Sequence, residues 1–142
     1  MSDSTSNTAT VADSSLSAPA PGSVRVLLVD DHDDTCRMMA RLLRGSGYHV
    51  ATANSISGSL QTADADQFDV IVSDIGLPDG SGLDLMRQLL AKRPIKGVAV
   101  SGFGHAEDIR RSKEAGFLEH LIKPVDAQQL EMVIQSLTNR NK

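Results

Sequence analysis

The chain has a single cysteine, Cys36, so no internal disulfide can hold it together. It has no apolar run long enough to span a bilayer. Its first basic residue is Arg25, so the N-terminus lacks the charged and apolar regions of a secretory signal. The formal net charge is -4, with no lysine or arginine cluster that could track a phosphate backbone. Such a surface does not track a phosphate backbone or an anionic membrane, so unaided nucleic-acid binding and membrane insertion are not expected. The expected compartment is the cytoplasm. What the sequence does have is 142 residues at 40% hydrophobic content, enough for one globular domain with a sizeable core.

The first 22 residues are mostly Ser, Thr, Ala, Asp and Pro, with Val11 and Leu16 the only sizeable apolar side chains after the initiator. That composition cannot offset its ordering entropy, so residues 1–22 are expected to be a disordered tail or linker. The domain is expected to occupy 23–142. It opens with an apolar strand through Val29 that ends on Asp30 and Asp31. Cys36, Met39, Leu42 and Leu43 follow at helical spacing, and Gly45-Ser46-Gly47 stops that helix. A second strand lies around Val50, and a second helix runs from about Ser55 to Ala65. The central stretch is FDVIVSDIGLPDGSG, Phe68 to Gly82, in which a continuous apolar run delivers Asp74 to a Gly/Pro turn. Such a run fits a strand buried on both faces of a parallel sheet.

Leu83, Met86, Leu89 and Leu90 mark a third helix that must stop before Pro94. Val98 to Val100 form a fourth strand ending at Ser101. A fourth helix, about His105 to Ala115, has few apolar groups and should be held loosely. Phe117 to Ile122 form a fifth strand ending at Lys123-Pro124. Leu130, Val133, Ile134 and Leu137 define the last amphipathic helix. Five alternating strand-helix units imply an α/β, doubly wound parallel sheet with helices on both faces.

The strand ends carry Asp30 and Asp31, Asp74, Ser101 and Lys123. They converge only if the strands are ordered 2-1-3-4-5, which makes the first and third neighbours at the crevice where such sheets bind ligands. Three crowded carboxylates repel unless a cation sits among them, and Mg²⁺ suits hard oxygen donors. A carboxylate beside a metal, a hydroxyl and an ammonium is suited to attack phosphorus, which would make Asp74 an aspartyl phosphate.

VDDHDD, SDIGLPDGSG, VSGFG and EAGFLEHLIKP together resemble the receiver domain of two-component response regulators, CheY-like and flavodoxin-like in fold. The resemblance covers about Val24 to Thr138 and supplies the 2-1-3-4-5 order. It implies that Asp74 accepts a phosphoryl group from a phosphohistidine on a sensor histidine kinase or histidine phosphotransfer protein. It implies that Asp31 binds Mg²⁺ directly, Asp30 through water, and the Gly76 carbonyl as a further ligand. Lys123 would pair with a phosphoryl oxygen, its bond to Pro124 would be cis, Ser101 would hydrogen-bond the phosphoryl group, and Gly102 would let a backbone amide approach it. Where the family usually has Tyr or Phe, three residues before the lysine, this chain has His120. The alternatives are a strand histidine with no switch role and a replacement for the aromatic rotor that makes the switch less hydrophobic or pH-sensitive. Gly76 and Phe103 occupy positions where the family tunes hydrolysis of the aspartyl phosphate.

The remaining candidates read as structural. His32 is expected to be a solvated loop residue, since imidazole is a poor partner for magnesium. His49 and His105 read as surface residues, and Asp33 or Asp34 as a cap of the first helix. Cys36 reads as packing, with no basic neighbour to activate its thiol. Because the sequence ends soon after the last helix, output is expected through the surface of helix 4, strand 5 and helix 5, which would bind a downstream protein. The chain is either a free-standing regulator or the C-terminal receiver of a hybrid sensor kinase. Two other classes compete: a Mg²⁺-dependent phosphohydrolase with an Asp nucleophile, for which no insertion supplies a cap or second acid, and an unphosphorylated pseudo-receiver, which would not need all five strand-end groups.

Overall fold

A computed structural model describes residues 23–102 and 104–138. The expectations for the tail, residues 1–22, and for Phe103 therefore lie outside the described residues. The main-sheet strands are β1 (Arg25–Val29), β2 (His49–Ala53), β3 (Val70–Asp74), β4 (Lys96–Ser101) and β5 (Glu119–Ile122). The helices are α1 (Asp33–Gly45), α2 (Ile56–Ala65), α3 (Gly82–Lys92), α4 (Ala106–Ala115) and α5 (Ala127–Thr138). All main-sheet pairings are parallel, in the order β2-β1-β3-β4-β5. The flavodoxin-like order expected from the sequence is therefore the observed one.

Side-chain alternation along the strands splits the core into two layers. Val26 and Leu28 of β1, Val70 and Val72 of β3 and Val98 of β4 pack with Leu43, Leu130 and Ile134 on one face. Leu27, Val29, Ile71 and Ala99 pack with Leu85, Met86, Leu89 and Phe117 on the other. This is why β1 and β3 read as unbroken apolar runs. Every residue of β3 is buried, and a side chain such as Ile71 contributes about 1.5–3 kcal/mol by leaving water.

The Gly/Pro turn after β3 is more ordered than its composition suggested. Gly76–Leu77 and Gly80–Ser81 pair as a two-residue antiparallel ladder. Inside this ladder Asp79 turns its carboxylate onto the start of α2, accepting from Ile56 N at 2.8 Å and Ser57 N at 3.1 Å. Those two donors would otherwise lack intrahelical partners. Ser55, at the N-cap, accepts from Gly58 N at 3.0 Å. At the start of α1 the expected Asp33 or Asp34 cap is not made: His32 holds the N-cap position without a side-chain cap, and the two aspartates sit in the first turn. Asp30 has the local role instead, accepting from His32 N at 2.8 Å.

Helix α4 fully buries only Ser112 and Ala115. It ends at Gly116, whose φ of 115° lies in the left-handed region that favours glycine. Among the described residues no helix is long and apolar enough to cross a membrane.

Candidate functional site

The C-terminal ends of β1, β3, β4 and β5 meet at one crevice, and Asp74 sits at its floor. Its backbone is fixed from three sides. Ile75 N donates to Val100 O at 3.1 Å, Gly82 N donates to Ile75 O at 2.6 Å, and Ser73 Oγ donates to the Asp74 carbonyl at 2.8 Å. A side chain at position 82 would collide with the Asp74 carbonyl oxygen, so only glycine lets α3 begin this close to the acid.

Asp74 is 4% exposed, and Lys123 Nζ lies 2.8 Å from its Oδ1. Lys123 is positioned by its own backbone, whose N–H donates to Ser101 O at 2.8 Å. The Lys123–Pro124 peptide bond is cis, as the resemblance implied. Burial pushes the Asp74 carboxyl up, the Lys123 ammonium pulls it down and the neighbouring Asp30 pushes it up again, which leaves it raised to about 6. Burial alone would lower the Lys123 ammonium, but its bond to Asp74 and the field of Asp30 and Asp31 raise it overall. The pair is thus an ion pair set in a surplus of negative charge.

Asp30, Asp31 and Asp74 present carboxylate oxygens that, with a ring nitrogen of His32, all lie within 4.8 Å of one another. The expected acid cluster is assembled. His32 is exposed as expected, yet it is not detached: its Nδ1 is 3.1 Å from Asp30 Oδ1 and 3.3 Å from Asp31 Oδ1. A hard divalent cation fits this set, because three carboxylates converge from the ends of two adjacent strands.

A cavity of about 360 Å³ opens beside Asp74, lined by Asp31, Gly76, Ser101, Gly102 and Lys123 among others. Of the site residues expected from the sequence, Asp31, Asp74, Gly76, Ser101, Gly102 and Lys123 line this cavity, Asp30 and Pro124 line a neighbouring one that Asp74 shares, and His120 contacts Ser101. A side chain at Gly76 or Gly102 would meet open space, so no crowding in this state requires glycine at either position. A second, more apolar cavity of about 590 Å³ lies on the α1 side, between Asp74 and residues such as Cys36, Met39 and Leu130. Cys36 is buried there, and burial followed by the repulsion of Asp30, Asp33 and Asp74 pushes its thiol up to about 11. It packs, with its thiolate form suppressed.

His120 does not point loosely outward. Its Nε2 is 3.1 Å from Ser101 Oγ, and its Nδ1 is 2.9 Å from Ser112 Oγ. Ser112 was missed in the sequence, where a serine in a polar helix looks like surface. The available signal was its three-residue spacing from Ile109 and Ala115, which puts it on the sheet-facing side. His49, expected on the surface, is half-buried, with its Nε2 3.7 Å from Asp66, which also holds the Arg25 guanidinium at 2.7 Å.

The family model for the response regulator receiver domain matches residues 26–135. The chain belongs to the response regulator receiver family. This receiver is 29% identical over 113 residues to the transcriptional regulatory protein ZraR of Escherichia coli strain K12, covering 79% of this chain and 26% of that one. It thus spans about a quarter of that relative's length. A CheY-like receiver domain from Methylobacillus flagellatus is 31% identical and superposes with a TM-score of 0.71, over 82% of this chain and 99% of the other. A Burkholderia pseudomallei response regulator, solved with a phosphorylated aspartic acid, a calcium ion and citrate, is 27% identical with a TM-score of 0.73, over 82% of this chain and 68% of the other. As a member of this family, the receiver takes part in two-component signalling, and its role is regulatory.

Proposed function

We propose that this receiver accepts a phosphoryl group on Asp74 from a phosphohistidine of a sensor histidine kinase or histidine phosphotransfer protein. The observation that carries the reading is a carboxylate 4% exposed, at the tip of a fully buried strand, with Lys123 Nζ at 2.8 Å and two further aspartates opposite. A carboxylate oxygen of Asp74 forms the bond to phosphorus while the phosphorus–nitrogen bond breaks and its electron pair leaves with the imidazole. Asp30, Asp31, Asp74 and the Gly76 carbonyl are the groups that would hold magnesium. The ion, when bound, neutralises charge on the phosphoryl oxygens.

The chain's own residues do the rest. Lys123 exchanges its bond with Asp74 for one with a phosphoryl oxygen, Ser101 donates to another, and Gly102 leaves room for a backbone amide. The phosphorylated aspartate of the Burkholderia relative supports this assignment by analogy. The response passes through the surface of α4, β5 and α5 to a downstream protein. Residues 1–22 act as a tether, and the protein works in the cytoplasm, without binding nucleic acid or inserting into membranes on its own.

Incubation with magnesium and a small phosphodonor, followed by intact mass, tests the reading. One phosphoryl group is expected on the wild type, with none on Asp74→Asn and none when the metal is chelated. Equal labelling of the Asn variant would overturn it.

A further inference from the structure

His120, on β5, stands between two serines from different elements. The Ser112 hydroxyl, fully buried on α4, lies 2.8 Å from the Ile109 carbonyl oxygen as well as 2.9 Å from His120 Nδ1. A carbonyl can only accept, so the single Ser112 proton goes to Ile109. Ser112 Oγ therefore meets the imidazole as an acceptor, which requires a proton on Nδ1. In a neutral ring Nε2 then carries the lone pair, and Ser101 must donate to it across the 3.1 Å contact. The sense of these three bonds is set from the α4 backbone outward. It ends at the Ser101 hydroxyl, which borders the cavity beside Asp74.

We propose that His120 and Ser112 are positioning residues for Ser101, holding its proton on the imidazole in the unphosphorylated protein and transmitting its departure to α4. This rests on Asp74 being the phosphoacceptor. Phosphoryl oxygens, like carbonyls, only accept, so Ser101 can bond one only by turning its proton away from Nε2. That exchange ends the Ser101–imidazole bond. Nε2 then lacks its donor while Nδ1 still holds Ser112, one of only two residues that α4 fully buries, so a shift of the ring toward a new Nε2 partner pulls on α4. Phosphorylation and the seating of α4 thus draw on the same hydrogen bonds, which is the differential interaction a two-state switch requires. A phenyl or phenol ring at position 120 has no ring lone pair and could not hold Ser101 this way.

The tautomer is directly observable. In ¹⁵N-labelled protein at about pH 8, where an unperturbed imidazole is neutral, two-bond ¹⁵N–¹H correlation spectra should show His120 protonated at Nδ1 with Nε2 as acceptor. Saturating magnesium and beryllofluoride should shift the Nε2 resonance as the Ser101 bond is lost. Ser112→Ala should convert the ring to the Nε2–H form and lower the half-saturating beryllofluoride concentration roughly fivefold, the worth of one ordinary hydrogen bond. An Nε2–H tautomer in wild-type protein that still labels at Asp74 would overturn the relay alone. Failure of Asp74 to take a phosphoryl group, with the Nδ1–H tautomer present, would instead overturn the coupling to phosphorylation.

Discussion

Replacing Asp74 with Asn in the metal-free protein is expected to raise stability at about pH 8, although it removes one partner of an ion pair. Asp74 is nearly buried, and its carboxyl is pushed from its ordinary 3.8 to about 6 in the folded chain. The unfolded chain therefore gives up this proton first. Below 3.8 both states keep the proton and the Asp74 carboxyl is neutral in each; as pH rises from 3.8 through about 6 the folded state loses ground, and above that the loss is constant. An offset of that size corresponds to roughly 3 kcal/mol. The Asn variant escapes it but leaves Lys123 without its carboxylate. That ammonium is 35% exposed and water can replace much of the lost bond, so the expected gain is about 1–2 kcal/mol. Urea unfolding in chelator measures it. The gain should shrink to nothing under acidic conditions where Asp74 is protonated in both states. Magnesium should reverse the order, since it binds the native wild type more tightly than the variant. A wild type equal to or more stable than the variant without metal at about pH 8, or a difference indifferent to pH, would refute this reasoning.

Other outcomes follow from individual contacts. Lys123→Ala should raise the Asp74 titration midpoint further, read from its side-chain carboxyl carbon by NMR, because the ammonium is what holds it down. Gly82→Ala should cost about 1–3 kcal/mol and slow labelling at Asp74, since the new methyl meets the Asp74 carbonyl; unfolding curves and intact mass check both. Asp79→Ala should lower the thermal midpoint at neutral pH by removing both acceptors at the α2 start. Backbone hydrogen bonds hold the Asp79 carboxyl below its ordinary value, so this contribution is present above 3.8 and vanishes as pH falls through the lower folded value, where variant and wild type should converge. Cys36 should resist alkylation in the folded protein at neutral pH and label promptly in denaturant, as burial and nearby carboxylates suppress its thiolate.

The parts of the molecule legible in its sequence are those governed by local pattern. The unbroken run Val70 to Asp74 announced a doubly covered strand, and the carboxylates closing β1 and β3 announced where the chemistry lies, because parallel sheets place strand ends together. Strand order came only with the family resemblance, since periodicity says nothing about neighbours. What remained hidden was contact between residues far apart in sequence. Asp79 reads as a turn residue, yet it caps a helix that begins 23 positions earlier. Gly82 reads as punctuation, and only packing reveals that α3 starts against the Asp74 carbonyl. His32 reads as solvated and is exposed, but the chain folds its ring back onto Asp30 and Asp31. His120 drew attention as a departure from the family; that its partner is Ser112 depends on how α4 lies against β5.

The residue that carries the phosphoryl group decides whether Asp74 is the acceptor. Protein incubated with magnesium and a small phosphodonor, reduced with borohydride to trap any acyl phosphate, and digested for peptide mass mapping should yield reduction at position 74 and nowhere else. Reduction at Asp30 or Asp31, or an acid-stable phosphate on Ser101 or Ser73, would contradict the assignment of Asp74 as the acceptor.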